Sequence, residues 1–330
     1  MIIAKMCYDY GMKPLHIPVL LDEVLEVFKS ASLQNPSSHQ GGKIPAYIDC
    51  TLGYGGHSSA ILECFKDAKL IACDQDENAY NYAKERFKEQ IANARMSLYH
   101  CNFSKLISCI DTNALELRGI LADIGVSSPQ LDINERGFGL NSDSLDMRMD
   151  AQNPLNASII VNEYAKDELE RVLGDYGELP NASSLAHKII QARAKAAISS
   201  AKQLCQIIGN AKLKGRDVSL SRLVLQALRI EVNDELGVLN KLLDEIERLK
   251  PSKCVLCIIS FHSLEDRIIK ERFKLWAKEC ICDERALRCE CGKNHALGRI
   301  ISKKPITPSA AAIKENPRAS CAKMRVFEFK

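Results

Sequence analysis

The sequence predicts an α/β protein: a Rossmann-like open sheet formed by residues 1–131 and 221–330, interrupted by a helical insertion at 132–220. Three observations predict it. Apolar runs of strand length alternate with segments of helical spacing, which implies parallel strands joined by crossover helices. A glycine-rich turn, Gly53-Tyr54-Gly55-Gly56-His57, follows an apolar strand that ends at Asp49, and the next apolar strand ends in a second acid, Asp74. The alternation stops after Asp123 and resumes only near residue 222.

The elements follow in order. Pro18 to Phe28 carries Val19, Leu20, Val24 and Phe28, a helical spacing. Residues 30–43 are rich in Ser, Asn, Gln and Gly and read as a loop. Strands are expected at 46–50, 69–73, 96–100 and 118–123, with helices at 57–65, 77–90 and 103–111. Residues 124–154 are rich in turn formers. Helical segments are expected at 166–173 and 183–208, then a basic polar linker to Asp217. One long helix over about 222–249 ends before Pro251. An apolar strand (254–260), a helix from Leu264 and a last strand of alternating character (324–329) complete the sheet domain. No internal repeat is present.

Composition narrows the class. Hydrophobic residues make up 46% of 330, enough for a full core. No run of about 18 apolar residues occurs, so no membrane span and no membrane partner is expected. Residues 1–9 lack the apolar region and small-residue cleavage site of a signal peptide, which points to the cytoplasm. The 14 cysteines should then be mostly reduced. Net charge is only +3, but it is uneven. Residues 179–216 hold seven Lys/Arg and no acid, and residues 299–330 hold eight Lys/Arg against two Glu. Two basic blocks in a near-neutral chain favour a polyanion such as nucleic acid over a merely solvated face.

The turn is a candidate nucleotide site, because ligands of open parallel sheets bind beyond the strand carboxyl ends. A phosphate loop would need Gly-Lys-Ser/Thr where this turn has Gly56-His57-Ser58. A dinucleotide fingerprint would need a third glycine where Ser58 stands. S-adenosylmethionine has no phosphate. Asp74 could take its ribose, and Asp49 with the Gly55-Gly56-His57 turn could take its amino-acid end. A tight turn with no ligand is the remaining alternative.

Asp123 ends the fourth strand, in the crevice toward which the methyl of such a cofactor would project. A base amine is a poor nucleophile because its lone pair is delocalised into the ring. An acceptor for its N–H bonds returns density to nitrogen, and Asp123 is the candidate catalytic group; a turn cap is the alternative. The next strand end carries Ser260-Phe261-His262-Ser263-Leu264-Glu265-Asp266-Arg267. There His262 is the second catalytic candidate and Phe261 could stack on a base, although Ser263 also reads as a helix N-cap. Cys280, Cys282, Cys289 and Cys291, with His295 nearby, have the composition of a zinc site. Their C-x-C spacing departs from the usual C-x₂-C. No catalytic metal is assigned, and a small structural zinc site stays open. Cys254 and Cys257, three apart on a strand, face opposite sides.

Seven segments in register carry a specific resemblance: His16–Leu21, Asp49–His57, Asp123–Asp132, Glu135–Phe138, Leu145–Asp150, Ser260–Arg267 and Asn316–Ala319. Through nearly the whole chain the sequence resembles the bacterial 16S rRNA (cytosine-N4)-methyltransferase family of RsmH/MraW type. The resemblance implies a class I S-adenosylmethionine-dependent methyltransferase fold with an inserted helical substrate-recognition domain. It implies methylation of a cytosine amine in the decoding (P-site) region of 16S rRNA, within the small ribosomal subunit. It places the cofactor against Gly55, Gly56 and His57, its ribose on Asp74 and its adenine against Phe103, with Asp123 and Gln130 completing the pocket. A homodimer is compatible with it. Departures from the family pattern are Leu223 and Leu225, where an Arg and an aromatic are usual, and Ser320 in place of an Arg. Two other classes compete: a non-catalytic, RNA-binding ribosome-assembly factor, and a nicotinamide-dependent oxidoreductase on the same sheet.

Overall fold

The computed structural model describes residues 18–34, 42–213, 218–283 and 288–330. Part of the expected 30–43 loop, His16 and Ile17 of the first resemblance segment, residues 1–9 and the end of the basic linker lie outside them. The described residues divide into two compact units, those up to Gly125 together with those from Val238 onward, and those from Val126 to Gly237.

The first unit is built on a seven-stranded sheet: β1 (Ile44–Asp49), β2 (Lys69–Asp74), β3 (Met96–His100), β4 (Leu115–Asp123), β5 (Val255–Ser260), β6 (Gly298–Ile300) and β7 (Lys323–Phe329). Their spatial order is β3-β2-β1-β4-β5-β7-β6. The first five run parallel, and β7 enters antiparallel to both β5 and β6. The chain starts at β1, builds outward to β3 and then returns to β4 on the other side of β1. The order therefore reverses between β1 and β4, the place where such sheets bind ligands.

Successive side chains point to opposite faces, so each central strand feeds two cores. Val255, Cys257 and Ile259 of β5 join a cluster with Val24, Leu25, Phe28 and Ile61. Leu256 and Ile258 join the opposite cluster, with Leu106, Leu242, Ile246 and Phe273. Every residue of β5 is buried, as a parallel strand covered on both faces requires. Cys254 belongs to the second cluster and Cys257 to the first, on opposite faces.

The second unit is helical. Its core takes Ile160 and Val161 from the helix Ala157–Glu163, Leu169, Val172 and Leu173 from Lys166–Asp175, and Leu185 and Ile189 from Ala182–Arg193. The helices Ala201–Ile208 and Leu220–Asn233 complete it. Asn233 ties its irregular start to its last helix: its Oδ1 accepts from the Met149 amide at 2.8 Å and its Nδ2 donates to the Met147 carbonyl at 2.8 Å.

Several elements differ from expectation. The single helix expected over 222–249 is two, Leu220–Asn233 and Glu235–Leu249. The break is Asp234, which adopts left-handed geometry (φ 48°), a conformation Asp tolerates better than most residues. The first of these helices gives most of its buried residues to the helical core, and that unit extends to Gly237 instead of ending at residue 220. The 183–208 segment is likewise broken, at residues 194–200. The first helix continues through Gln34, into what reads as loop. Leu223 and Leu225 are core residues, so at these positions apolar packing takes the place of the family's Arg and aromatic; Ser320 is exposed. Among the described residues, no helix is long and apolar enough to cross a membrane.

Candidate active site

Strand register decides how deep each acid sits. Asp49 pairs with Ala72 of β2 and Leu121 of β4, so Asp74 and Asp123 each stand two residues further along their strands. Asp49 is consequently fully buried, while the other two lie at the rim. Asp49 spends its oxygens internally: Oδ1 accepts from the Thr51 amide (3.1 Å) and Oδ2 from the Ser58 hydroxyl (2.6 Å). It pins the turn onto the helix Gly56–Cys64. That is a scaffold role, where the sequence suggested a contact to a cofactor's amino-acid end.

Asp74 pins the same turn from the other side. Its Oδ2 accepts from the Gly53 amide at 2.7 Å and its Oδ1 from the Asp76 amide at 2.8 Å. Each oxygen keeps a second lone pair for a hydroxyl donor. Beyond it, the Cys101 amide donates to the Asp74 carbonyl (3.1 Å) and Asn102 Nδ2 to Gln75 Oε1 (2.7 Å). These bonds hold the start of the helix Phe103–Cys109 beside the end of β2, so Asp74 and the partly buried Phe103 share one edge.

The turn glycines do not all act alike. Gly55 adopts φ +78°, and a Cβ there would lie 2.4 Å from the Phe87 ring; one on Gly56 would lie 2.3 Å from Pro18. These two glycines let the turn close against the protein. Gly53 (φ +51°) has nothing within 4 Å of where a Cβ would stand, so the open side of the turn is there. Gly55→Ala should therefore destabilise the sheet unit by about 1–3 kcal/mol and weaken cofactor binding. Thermal melting and titration calorimetry would show it; an unchanged melting temperature would contradict it.

Asp123 carries a buried oxygen that no protein donor satisfies. Its amide donates to the Thr51 hydroxyl at 2.6 Å, which fixes the strand end. Its Oδ1 is buried with no hydrogen-bond partner. Its Oδ2 lies 3.8 Å from His57 Nδ1, while His57 Nε2 is 3.0 Å from the Val19 carbonyl. A carbonyl only accepts, so Nε2 carries hydrogen. Burial pushes the Asp123 carboxyl up to about 8, and the neighbouring charges of Asp49 and Glu265 add to the rise. Burial likewise raises Asp74 to about 6, against the pull of the Asp76 and Gly53 amides. Asp49 is raised by burial against the opposing Ser58 and Thr51 bonds. Three acids at neighbouring strand ends, all with raised pKa values, mark a functional site.

His262 is placed differently from expectation. It, and not Ser263, caps the helix Ser263–Trp276: its Nδ1 accepts from the Glu265 amide, and its Nε2 lies 3.1 Å from Glu265 Oε1. Glu265 Oε2 in turn accepts from the Phe261 and His262 amides. With its side chain 6% exposed and both ring nitrogens turned to Glu265, His262 holds the loop after β5. Phe261 packs against Gly125, where a Cβ would come within 2.9 Å of its ring. Gln130 belongs to the helical unit, where its side chain accepts from the Ser127 amide in a capping box.

Thr51 and Glu265 escaped sequence reasoning. Glu265 had a signal, the capping-box spacing three residues after His262. Thr51 had none, since its partner lies 72 residues away.

The sequence model of the MraW methylase family matches residues 13–330. The chain belongs to that family. Among similar proteins is Ribosomal RNA small subunit methyltransferase H of Campylobacter lari, 56% identical over 320 residues, 97% of this chain and 100% of that one. The protein of the same name from Campylobacter jejuni subsp. jejuni is 52% identical over 314 residues, 95% of this chain and 97% of that one. That from Campylobacter curvus is 51% identical over 320 residues, 97% and 99% of the two chains. The MraW-family sheet is the class I methyltransferase fold with a helical insertion, and its cofactor is S-adenosylmethionine. The residues present fit that group. The open side at Gly53, the spare lone pairs of Asp74 and the unpartnered buried oxygen of Asp123 suit a ligand that brings hydroxyls and a positive charge.

Proposed function

We propose that this MraW-family enzyme methylates the exocyclic N4 of a cytosine in the decoding (P-site) region of 16S rRNA, within the small ribosomal subunit and in the cytoplasm. The observation that carries the reading is Asp123: a carboxyl at the rim of the switch point, fixed through its backbone by Thr51, with one buried oxygen awaiting a donor. S-adenosylmethionine, when bound, supplies a methyl group already activated on a sulfonium. What remains for the protein is positioning, which can contribute up to about 7–11 kcal/mol, and management of the amine protons.

Asp74 takes the ribose, Phe103 the adenine face, and Gly55, Gly56 and His57 shape the turn. Asp123 Oδ1 accepts an N4–H bond, which raises electron density on nitrogen. Transfer would break the S–CH₃ bond of the sulfonium as the N–CH₃ bond forms, leaving a neutral thioether and a cationic nitrogen, whose one excess proton passes to the Asp123 carboxylate. Glu265 and His262 keep the loop after β5 in place. The target base must leave its stack to reach the rim, at a cost of a few kcal/mol that is least for an unpaired base.

RNA is held electrostatically. The helical unit exposes Lys188, Lys195, Lys202 and Lys212, and the tail exposes Lys303, Lys304, Lys314 and Arg318. Phosphate contacts release counterions, so four of them should weaken RNA binding at least about tenfold between 50 and 200 mM salt. Filter binding across that range checks this; a flat dependence would contradict it.

The test of the reading combines binding and transfer. Calorimetry should show binding of S-adenosylmethionine and none of NADH. Methyl-labelled cofactor should label undermethylated small subunits. RNA binding without any transfer would instead favour the assembly-factor reading.

A further inference from the structure

Between the helix Ser263–Trp276 and β6, the chain makes an excursion that neither the sheet nor the methyl-transfer site uses. Its ends are tied down: the His295 amide donates to the Glu279 carbonyl (3.1 Å) and the Leu297 amide to the Trp276 carbonyl (2.7 Å). Between them, the described residues from 278 to 295 form no helix or strand, and none is buried. Ile281 stands 59% exposed. A lobe without a hydrophobic core needs another source of order, and in small folds that source is a disulfide or a metal.

Four cysteines converge inside this lobe. The sulfurs of Cys280, Cys282, Cys289 and Cys291 all lie within 4.8 Å of one another. Cys289 Sγ is 3.5 Å from both Cys280 Sγ and Cys291 Sγ, and Cys280 and Cys291 are 3.6 Å apart. These separations are far longer than a disulfide bond, and all four cysteines are free. A tetrahedral ion with metal–sulfur bonds of about 2.3 Å holds its sulfurs roughly 3.8 Å apart. The cluster matches that spacing and is too tight for the cysteines of a multi-iron cluster. The C-x-C spacing is no obstacle, since Cys289 and Cys291 already point their sulfurs together.

The backbone around the sulfurs supplies a hydrogen-bond donor to the cluster. The Glu290 amide donates to Cys282 Sγ at 3.3 Å. Gly292, at φ +80°, provides the left-handed step that turns the chain immediately after Cys291. Such N–H···S bonds delocalise thiolate charge and orient metal ligands. His295 is not a fifth donor: its Nε2 is 2.8 Å from the Cys291 carbonyl, with its ring serving the same turn.

We propose that Cys280, Cys282, Cys289 and Cys291 bind one structural zinc ion, which closes this lobe beside the edge strand β6. All four positions are taken by protein sulfur, so the site is closed to substrate and takes no part in methyl transfer.

The test is metal content of the full chain, expressed with zinc, purified under reductant and dialysed against a weak chelator. One zinc per chain is expected for the wild type and for the control Cys109→Ser, whose thiol lies exposed outside the cluster. Cys282→Ser and Cys289→Ser should each lose at least tenfold of that content. Because a variant could lose metal by misfolding, cobalt exchange into the wild type provides the second reading. It should give the strong sulfur-to-cobalt charge-transfer and visible bands of a tetrahedral tetrathiolate. Substoichiometric metal in the wild type, zinc retained equally by Cys289→Ser, iron in place of zinc, or a cobalt spectrum without thiolate character would each overturn the proposal.

Discussion

Asp123→Ala should lower methyl-transfer turnover by about 10²–10⁴-fold, the range of a lost proton acceptor, and leave cofactor affinity within about tenfold. Asp123→Asn should fall between the alanine variant and the wild type, because its carbonyl can still accept an N4–H bond but cannot take the proton. The same group predicts a pH dependence. The acceptor is the carboxylate, so kcat/KM for RNA should rise with pH along an acidic limb whose midpoint lies at or below about 8, the value reached in the free protein. A bound cation favours the carboxylate and moves the midpoint down. In Asp123→Asn the limb should disappear. Full retained turnover in the alanine variant would remove Asp123 from the mechanism.

Stability should change in the opposite direction. The folded-state pKa of Asp123 lies above its ordinary value of 3.8, so the folded state holds the proton that the unfolded chain releases. The stability this confers is complete below that ordinary value and is lost as pH rises toward about 8. Asp123→Asn never ionises and does not suffer that loss. Its melting temperature should therefore match the wild type near pH 4 and exceed it increasingly up to pH 8, by about 1–2 kcal/mol of stability. A site that gains stability when its acid is removed holds that acid for chemistry.

Asp74→Asn should produce the complementary split. The amide side chain offers one acceptor where the carboxylate offers two oxygens, and its NH₂ meets the Gly53 or Asp76 amide head on. The turn loses one clamp and the cofactor loses a charged hydrogen bond. About 1.5–3 kcal/mol is at stake, a rise in cofactor Kd of roughly 10- to 100-fold. Turnover at saturating cofactor should stay within about threefold, since Asp74 lies at the end of β2 and Asp123 at the end of β4. Loss of kcat with an unchanged Kd would reverse the two roles.

The sheet is legible because its signals are local: apolar strands, an acid closing β1, β2 and β4, and a glycine turn after the first. Depth is not. Asp49, Asp74 and Asp123 look alike in the sequence, and only the register of β1 against its neighbours puts the first at the bottom of the crevice and the others at its rim. Glycine type was legible, but direction was not, since Phe87 and Pro18 are what Gly55 and Gly56 make room for. The helix over 222–249 looked continuous because its apolar periodicity runs through Asp234, whose left-handed step preserves the pattern while dividing the helix. His262 reads as a base contact because a histidine at a strand end has several uses; the structure adds a second use, the helix cap that its Nδ1 makes with the Glu265 amide.

The central claim, that the rim carboxylate of Asp123 prepares a cytosine amine for methylation, is tested most directly by locating the transferred methyl. Undermethylated small subunits are incubated with the enzyme and methyl-labelled S-adenosylmethionine, and the rRNA is digested and mapped by mass spectrometry. The label should reside on N4 of one cytosine in the decoding region and accumulate at least about a hundredfold more slowly when Asp123→Ala replaces the wild type. Label on a ring carbon or ribose, on another base, or at equal yield with Asp123→Ala would contradict it.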